Sequence, residues 1–240
     1  MLAVLGLVSL PVTSAAQSLS YTVSWLGIPV VDVDITTVKQ DSNHQVIYRA
    51  KTRPLFDPLY SVDNSYSVLL EPQTGQLLYY EKEILERKKY DHLWARYDRS
   101  SHRILYSNGL ERSWQEGNHN LFSALQWVQQ HHWQLNEKQQ LVIESEGIFW
   151  EVGLVCTEMK STQQSDDSQV EVQAIFEKKL AGEPVLSSTD ILTLVLPGEG
   201  NILRMGLNPS RTIVSWIEWG TSPFHVRAEL NAGSDQHFSD

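Results

Sequence analysis

The sequence predicts a mainly β protein: a single strongly curved antiparallel sheet, or a partly closed barrel, with one packed α-helix over about 120–133. Three observations predict it. Apolar and polar residues alternate with period two through most of 19–98 and again after 140. Turn-forming pairs such as Asn108-Gly109 and Glu146-Gly147 fall between these runs at hairpin spacing. One segment, 120–133, changes to a helical period.

The elements follow in chain order. Val31, Val33 and Ile35 alternate with Asp32 and Asp34, so the two carboxylates take the solvent face of a half-buried strand. Val46, Tyr48 and Ala50 repeat the pattern against Ile47, Arg49 and Lys51. Two prolines, Pro54 and Pro58, interrupt the sheet, and 61–70 resumes it. Gln73-Thr74-Gly75 is a turn with glycine where a positive φ is needed. Segments 77–85 and 90–97 read as a hairpin pair, with the cations Arg87, Lys88 and Lys89 at its solvated end. Arg99-Ser100-Ser101 turns into a strand over 102–107.

Leu121, Leu125 and Val128 stand at i, i+4 and i+7, joined by Phe122 and Ala124, which makes 120–133 an amphipathic helix capped by Asn118 or Asn120. His131 and His132 would close it, where the helix dipole favours cations. Segments 140–144 and 149–156 form the next hairpin. The polar run 161–168 is a loop, and Val170, Val172 and Ala174 alternate again. The apolar run 191–196 reads as a strand covered on both faces, and 212–219 and 224–230 finish a sheet of roughly ten to twelve strands. We read 1–16 as a signal peptide, 17–232 as a single β-rich domain, and 233–240 as a flexible tail.

Charge and composition exclude several classes. A net charge of −10 with one tight basic cluster argues against nucleic acid and against docking on anionic lipid head groups. The apolar N-terminal run is too short to span a bilayer, and Pro11 followed by Ser14-Ala15-Ala16 reads as a signal peptide cleaved after Ala16. No Lys or Arg precedes that run. Cys156 is the single cysteine, in the apolar stretch Val152-Gly153-Leu154-Val155, so no internal disulfide builds the fold and the thiol reads as a core side chain.

Catalytic signatures are weak. No His-x-x-x-His, Cys-x-x-Cys or Gly-x-Ser-x-Gly pattern occurs, so no catalytic residue, metal ligand or cofactor is assigned, and enzyme activity is disfavoured. His92, Trp94, Arg96 and Asp98 share a strand face with mixed charge. The eight tryptophans carry more information: large aromatics either fill a β core or line an apolar or glycan ligand surface. Tyr21, Trp25, Tyr66, Trp94, Trp127 and Trp150 are the candidate ligand-binding residues.

The opening Tyr21-Thr22-Val23-Ser24-Trp25-Leu26-Gly27-Ile28-Pro29-Val30 resembles the start of the domain of unknown function 3108 family. So does Tyr60-Ser61-Val62-Asp63-Asn64 with the following Tyr66-Ser67, and so does Leu121-Phe122-Ser123-Ala124-Leu125 leading the helix. Val31 departs from the family, where a second glycine is common. The resemblance implies an exported, periplasmic envelope protein with a curved antiparallel sheet, and brings no catalytic residues. The sequence therefore favours a non-enzymatic envelope protein binding a lipid-like, glycan or polypeptide ligand on a concave sheet. It leaves open an envelope polysaccharide hydrolase using carboxylates such as Asp63, Asp91 or Asp98, and a scaffold or assembly factor of an envelope complex.

Overall fold

A computed structural model of the chain describes residues 15–40, 43–161, 168–185, 190, 197–208, 213–220 and 225–233. The elements are β1 (Ala15–Trp25), β2 (Ile28–Gln40), β3 (Asn43–Thr52), β4 (Asp63–Leu70), β5 (Leu77–Glu86), β6 (Lys89–Asp98), β7 (Arg103–Tyr106), β8 (Glu111–Ser113), β9 (His119–Asn120), α1 (Leu121–Gln130), β10 (Lys138–Ser145), β11 (Ile148–Ser161), β12 (Ser168–Ala181), β13 (Ile202–Leu207), β14 (Val214–Trp219) and β15 (Val226–Leu230). The fold class is the one the sequence predicts, mainly β with one helix, and the strands form one large sheet that is not closed.

The strand order explains the curvature. It runs β8-β7-β6-β5-β4-β3-β2-β1-β15-β14-β13-β12-β11-β10-β9. The chain thus starts in the middle, meanders outward to one edge, crosses to the other edge, and meanders back to lie beside its start. Laid flat at about 4.8 Å per strand, fifteen strands would measure about 65–70 Å across. Yet β8 and β9 are joined by residues 114–118 alone, a link that reaches at most about 22 Å. The edges must therefore approach each other, so the sheet curls. Trp114, fully buried in that link, packs on Tyr97 from one half of the sheet and Phe149 from the other, with ring centroids 5.9 and 6.2 Å away.

Two apolar clusters fill the curl. One centres on β3 to β7, with Val46, Tyr48, Tyr66, Leu93 and Tyr106; the other centres on β10 to β14, with Val152, Cys156, Val172, Phe176 and Leu207. The helix joins them. Phe122 packs between Tyr48 and Tyr66, while Ala124 and Val128 enter the second cluster. Gln126 donates to the Tyr48 hydroxyl at 3.2 Å.

The helix is shorter than the expected 120–133. Asn120 caps its start, accepting from the Ser123 N–H while Ser123 accepts from the Asn120 N–H. It stops at Gln130 because His131 turns extended (φ −75°, ψ 135°), stacks on Trp127 and meets Glu137 at 2.7 Å. Aromatic and carboxylate contacts, rather than the helix dipole, hold His131, and Trp133 lies beyond the helix as a buried core side chain. The strand count also exceeds the expected ten to twelve. The extra strands include β8 and β9, three and two residues long, too short to show an alternation. The expected strand at 191–196, most of the 161–168 loop, most of the tail and most of the leader lie outside the described residues.

Candidate functional site

Two features stand out as candidate sites: a buried ionic cluster between the halves of the sheet, and one end of the strands.

The cluster is built by strand parity. On β5, Tyr80, Lys82 and Ile84 share the inward face, so a lysine is carried into the core with a tyrosine and an isoleucine. Lys82 is 2% exposed. Its ammonium pairs with Glu146, in the β10–β11 turn, and with Asp190, whose Oδ2 lies 3.1 Å away and which is fully buried. Burial is the largest influence on Lys82 and pushes its pKa down, while Asp190 opposes that shift. Glu144, at the end of β10, is likewise buried. Its Oε1 accepts from the Gly147 N–H at 2.6 Å, the Tyr106 hydroxyl at 3.0 Å and the Tyr80 hydroxyl at 3.3 Å. Burial raises the Glu144 carboxyl above its ordinary value, and raises both tyrosines with help from the Glu144 charge. A second network lies alongside: Asn64 donates to Glu86 at 2.7 Å and to the Tyr66 hydroxyl at 3.1 Å, and Tyr60 donates to Glu86 at 2.8 Å.

Tyr80, Lys82, Asn120, Phe122, Glu144 and Glu146 line one small cavity of about 20 Å³. That is room for a water molecule and far below a drug-sized pocket. Asn120 Nδ2 and Glu144 Oε2 are buried there without a partner among the described residues. A donor and an acceptor facing a water-sized space make an arrangement that one bridging water satisfies.

The Glu144 environment has a pH signature. A carboxyl whose folded pKa is raised contributes stability that is fully present below its unfolded value, 4.5, and is lost as pH rises through the folded value. Stability measured by urea unfolding should therefore decline as pH rises above 4.5, and Glu144→Gln should flatten that decline. Parallel profiles for the two proteins would refute the assignment.

The end of the strands where β1 stops and β2 starts is apolar. Strand register places the β1–β2 turn, segment 53–62, the β5–β6 turn, the end of β12 and the start of β13 at that same end. Trp25, Leu26 and Ile28 are exposed on the first turn, and Leu55 and Leu59 on 53–62 at 79% and 78%. Leu85 and Tyr90, cross-strand partners, flank the β5–β6 turn, and Leu180 and Ile202 complete the set. The tenth exposed large apolar side chain of the described residues, Leu135, lies at the opposite end. The described turns there, such as Gln73-Thr74 and Arg99-Ser100-Ser101, are otherwise polar.

The structure distributes the sequence-proposed ligand residues over four places. Tyr21 is buried in the first cluster, its hydroxyl donating to the Val214 carbonyl at 2.7 Å. Tyr66 is buried beside Phe122. Trp127 and Trp150 pack against the second cluster, Trp150 edge-on to Phe176. Trp94 is half-buried on the outer face, 6.5 Å from Tyr79, and Trp25 is 48% exposed at the apolar end. The carboxylates Asp63, Asp91 and Asp98 do not meet: Asp63 pairs with Lys51, Asp91 with Lys89, and Asp98 accepts from Ser100 and Ser101. Sequence reasoning missed Lys82, Glu144, Glu146 and Asp190. For Lys82 a signal existed, since it shares the inward parity of Tyr80 and Ile84, where a cation is out of place.

No group of three or more His, Cys, Asp or Glu side chains among the described residues could hold a metal ion. No helix among them is long and apolar enough to cross a membrane.

No family model matches the chain, and no curated protein does. Among solved structures it is similar to a β-barrel-like protein of the domain of unknown function 1849 from Brucella abortus, at 9% identity and a TM-score of 0.52, over 93% of this chain and 98% of that one. At that identity the likeness shows the fold, barrel-like and β-rich, and nothing further.

Proposed function

We propose that this is an exported, non-enzymatic protein of the bacterial envelope, resembling the domain of unknown function 3108 family, that works by docking an apolar partner at the end of its strands. The observation that carries the reading is the segregation of apolar exposure. Among the described residues, nine of ten exposed large apolar side chains share one end, while the concave side is occupied by the helix, the tyrosines and the ionic cluster around a cavity of about 20 Å³. Exposed apolar groups scattered singly are ordinary, but a set gathered at one end marks an interaction surface. Cleavage after Ala16 would remove Ala15 and Ala16, the first two described residues of β1.

The test places a photo-reactive amino acid at Leu59 or at Ser101, at opposite ends, in cells of the source organism. Adducts, to protein or to lipid, from position 59 and none from 101, on a mature chain beginning at Gln17, are expected. Equal labelling from both positions, or none, would remove the reading.

One observation favours a second reading. Glu144 and Glu146 converge on one cavity, as a carboxylate-based hydrolase requires. A cavity of that size admits a water and not a sugar ring, which ranks this reading second. Turnover of glycan strands by the wild-type protein, abolished in Glu144→Gln, would promote it.

A further inference from the structure

The apolar end has a composition and layout that identify its partner, given the docking role proposed above. We propose that it docks on the surface of a phospholipid membrane, with Leu55, Leu59, Trp25 and Leu26 entering the head-group and acyl boundary.

The layout separates lipid from protein. Protein partners are held by anchors clustered at the centre of a well-packed patch, in pockets of matching shape. Here the apolar groups sit on separate turns spread around the end of a curled sheet: β1–β2, 53–62, β5–β6, and the β12 and β13 termini. Several shallow, spaced anchors suit a planar, deformable surface that needs no shape match.

Segment 53–62 is built as such an anchor. Its backbone winds through two helical turns, Asp57 N–H to Arg53 carbonyl and Tyr60 N–H to Phe56 carbonyl. That brings Leu55 and Leu59, at i and i+4, to one face pointing outward. The base of the segment is tied down: Arg53 binds Asp32 at 2.7 Å, and the Thr52 hydroxyl donates to the Tyr60 carbonyl at 3.0 Å. Two leucines nearly four-fifths exposed on a segment held this firmly are displayed, not loosely packed.

The polar groups at this end match an interface as well. Trp25 and Tyr90 are the residue types that sit at head-group depth. Beside Tyr90, the β5–β6 turn carries Arg87, Lys88 and Lys89 in succession, on a chain whose net charge is −10. The guanidinium of Arg87 lies 4.2 Å over the Tyr60 ring, linking this turn to segment 53–62. Asp91 meets Lys89 at 3.7 Å, so Arg87 and Lys88 are the cations that turn this tip toward phosphate groups; apolar insertion supplies the hold, which the acidic chain as a whole would not. Leu26, Arg87 and Lys88 have φ of 52°, 48° and 67°, the left-handed region where asparagine or glycine is the low-energy choice.

The experiment is co-sedimentation of the purified protein with vesicles of phosphatidylethanolamine and phosphatidylglycerol. The wild-type protein is expected to pellet with the vesicles. The double variant Leu55→Ser, Leu59→Ser is expected to need at least about ten-fold more lipid for the same bound fraction, while Leu135→Ser at the opposite end binds as wild type. Both leucines in the double variant are solvent-exposed, so the fold should be retained, with circular dichroism as the check. Wild-type protein left in the supernatant, or a double variant that pellets equally well, overturns the proposal. So does a vesicle-free dimer, seen by sedimentation velocity, that the double variant abolishes, since the end would then bind a second copy. Protein adducts from position 59 in cells, with no vesicle binding, would leave the docking reading standing and remove the lipid. Absence of adducts and of vesicle binding removes both.

Discussion

Replacing Lys82 with methionine should lower folding stability by about 3–5 kcal/mol, the usual cost of removing one member of a buried ionic group. The size follows from what is left behind. Asp190 is fully buried and Glu146 is 6% exposed, so neither carboxylate could recover its lost cation through hydration. Methionine keeps the length and most of the volume of the lysine stem, so the loss reports charge and not a cavity. Urea unfolding would measure it. The triple variant Lys82→Met, Glu146→Gln, Asp190→Asn should recover more than half of the loss, because neutral amides cost far less to bury than carboxylates that have lost their cation. A loss below about 1 kcal/mol in the single variant would mean that water reaches the cluster and that Lys82 is not what pairs the halves of the sheet. The result matters for the fold because Lys82 belongs to β5, whereas Glu146 and Asp190 belong to the returning half of the chain. The cluster is a polar bond between the two meanders, beside the Glu144 hydrogen bonds to Tyr80 and Tyr106, the central β1–β15 pairing, the 114–118 link and the helix.

The same cluster shows what could and could not be read from the sequence. Alternation located β2 to β6 well, because each has one buried face: Val46 and Tyr48 against Ile47 and Arg49, or Leu93, Ala95 and Tyr97 against Trp94 and Arg96. Asn120 was legible as a helix cap because a short polar side chain precedes an apolar period of 3.6. The helix end was not, because it depends on the Trp127–His131 stack and on Glu137, a residue past the helix. Glu144 was illegible for a different reason. On β10, Leu141 and Ile143 face the second cluster while Val142 faces the first, so both faces of the strand are covered. Glu144 shares the parity of Val142, and a carboxylate there looks like a solvent-face residue until the opposing half of the sheet is in place. Asp190 has no local pattern at all; its role is set by Lys82, 108 residues away. The apolar end was legible in part. Leu26, Leu55 and Leu59 stand at turn positions, where polar residues or glycine are usual, and only the strand register shows that those turns gather together.

Curvature itself is the property hardest to read in a sequence, and Trp114 is where it can be tested. Trp114→Ala should cost about 3–5 kcal/mol, at the upper range for large-to-small core substitutions. The tryptophan is fully buried, touches Tyr97 and Phe149 from opposite halves, and sits in the five-residue link between the two edge strands. Its removal leaves a void where the sheet edges come together, and β8 and β9 are too short to close it by moving as rigid units. The loss should be local in kind as well as large. Amide hydrogen exchange should rise most in β7, β8 and β9, and least in the central β1–β2 and β1–β15 ladders, which the link does not touch. Trp114→Phe separates volume from polarity. The indole Nε1 has no partner among the described residues, so phenylalanine forfeits no hydrogen bond and should cost less than half as much as alanine. Uniform exchange across the sheet in Trp114→Ala, or equal losses for alanine and phenylalanine, would show that the indole fills space without holding the edges near each other, and that the curl is set instead by the twist of the strands themselves.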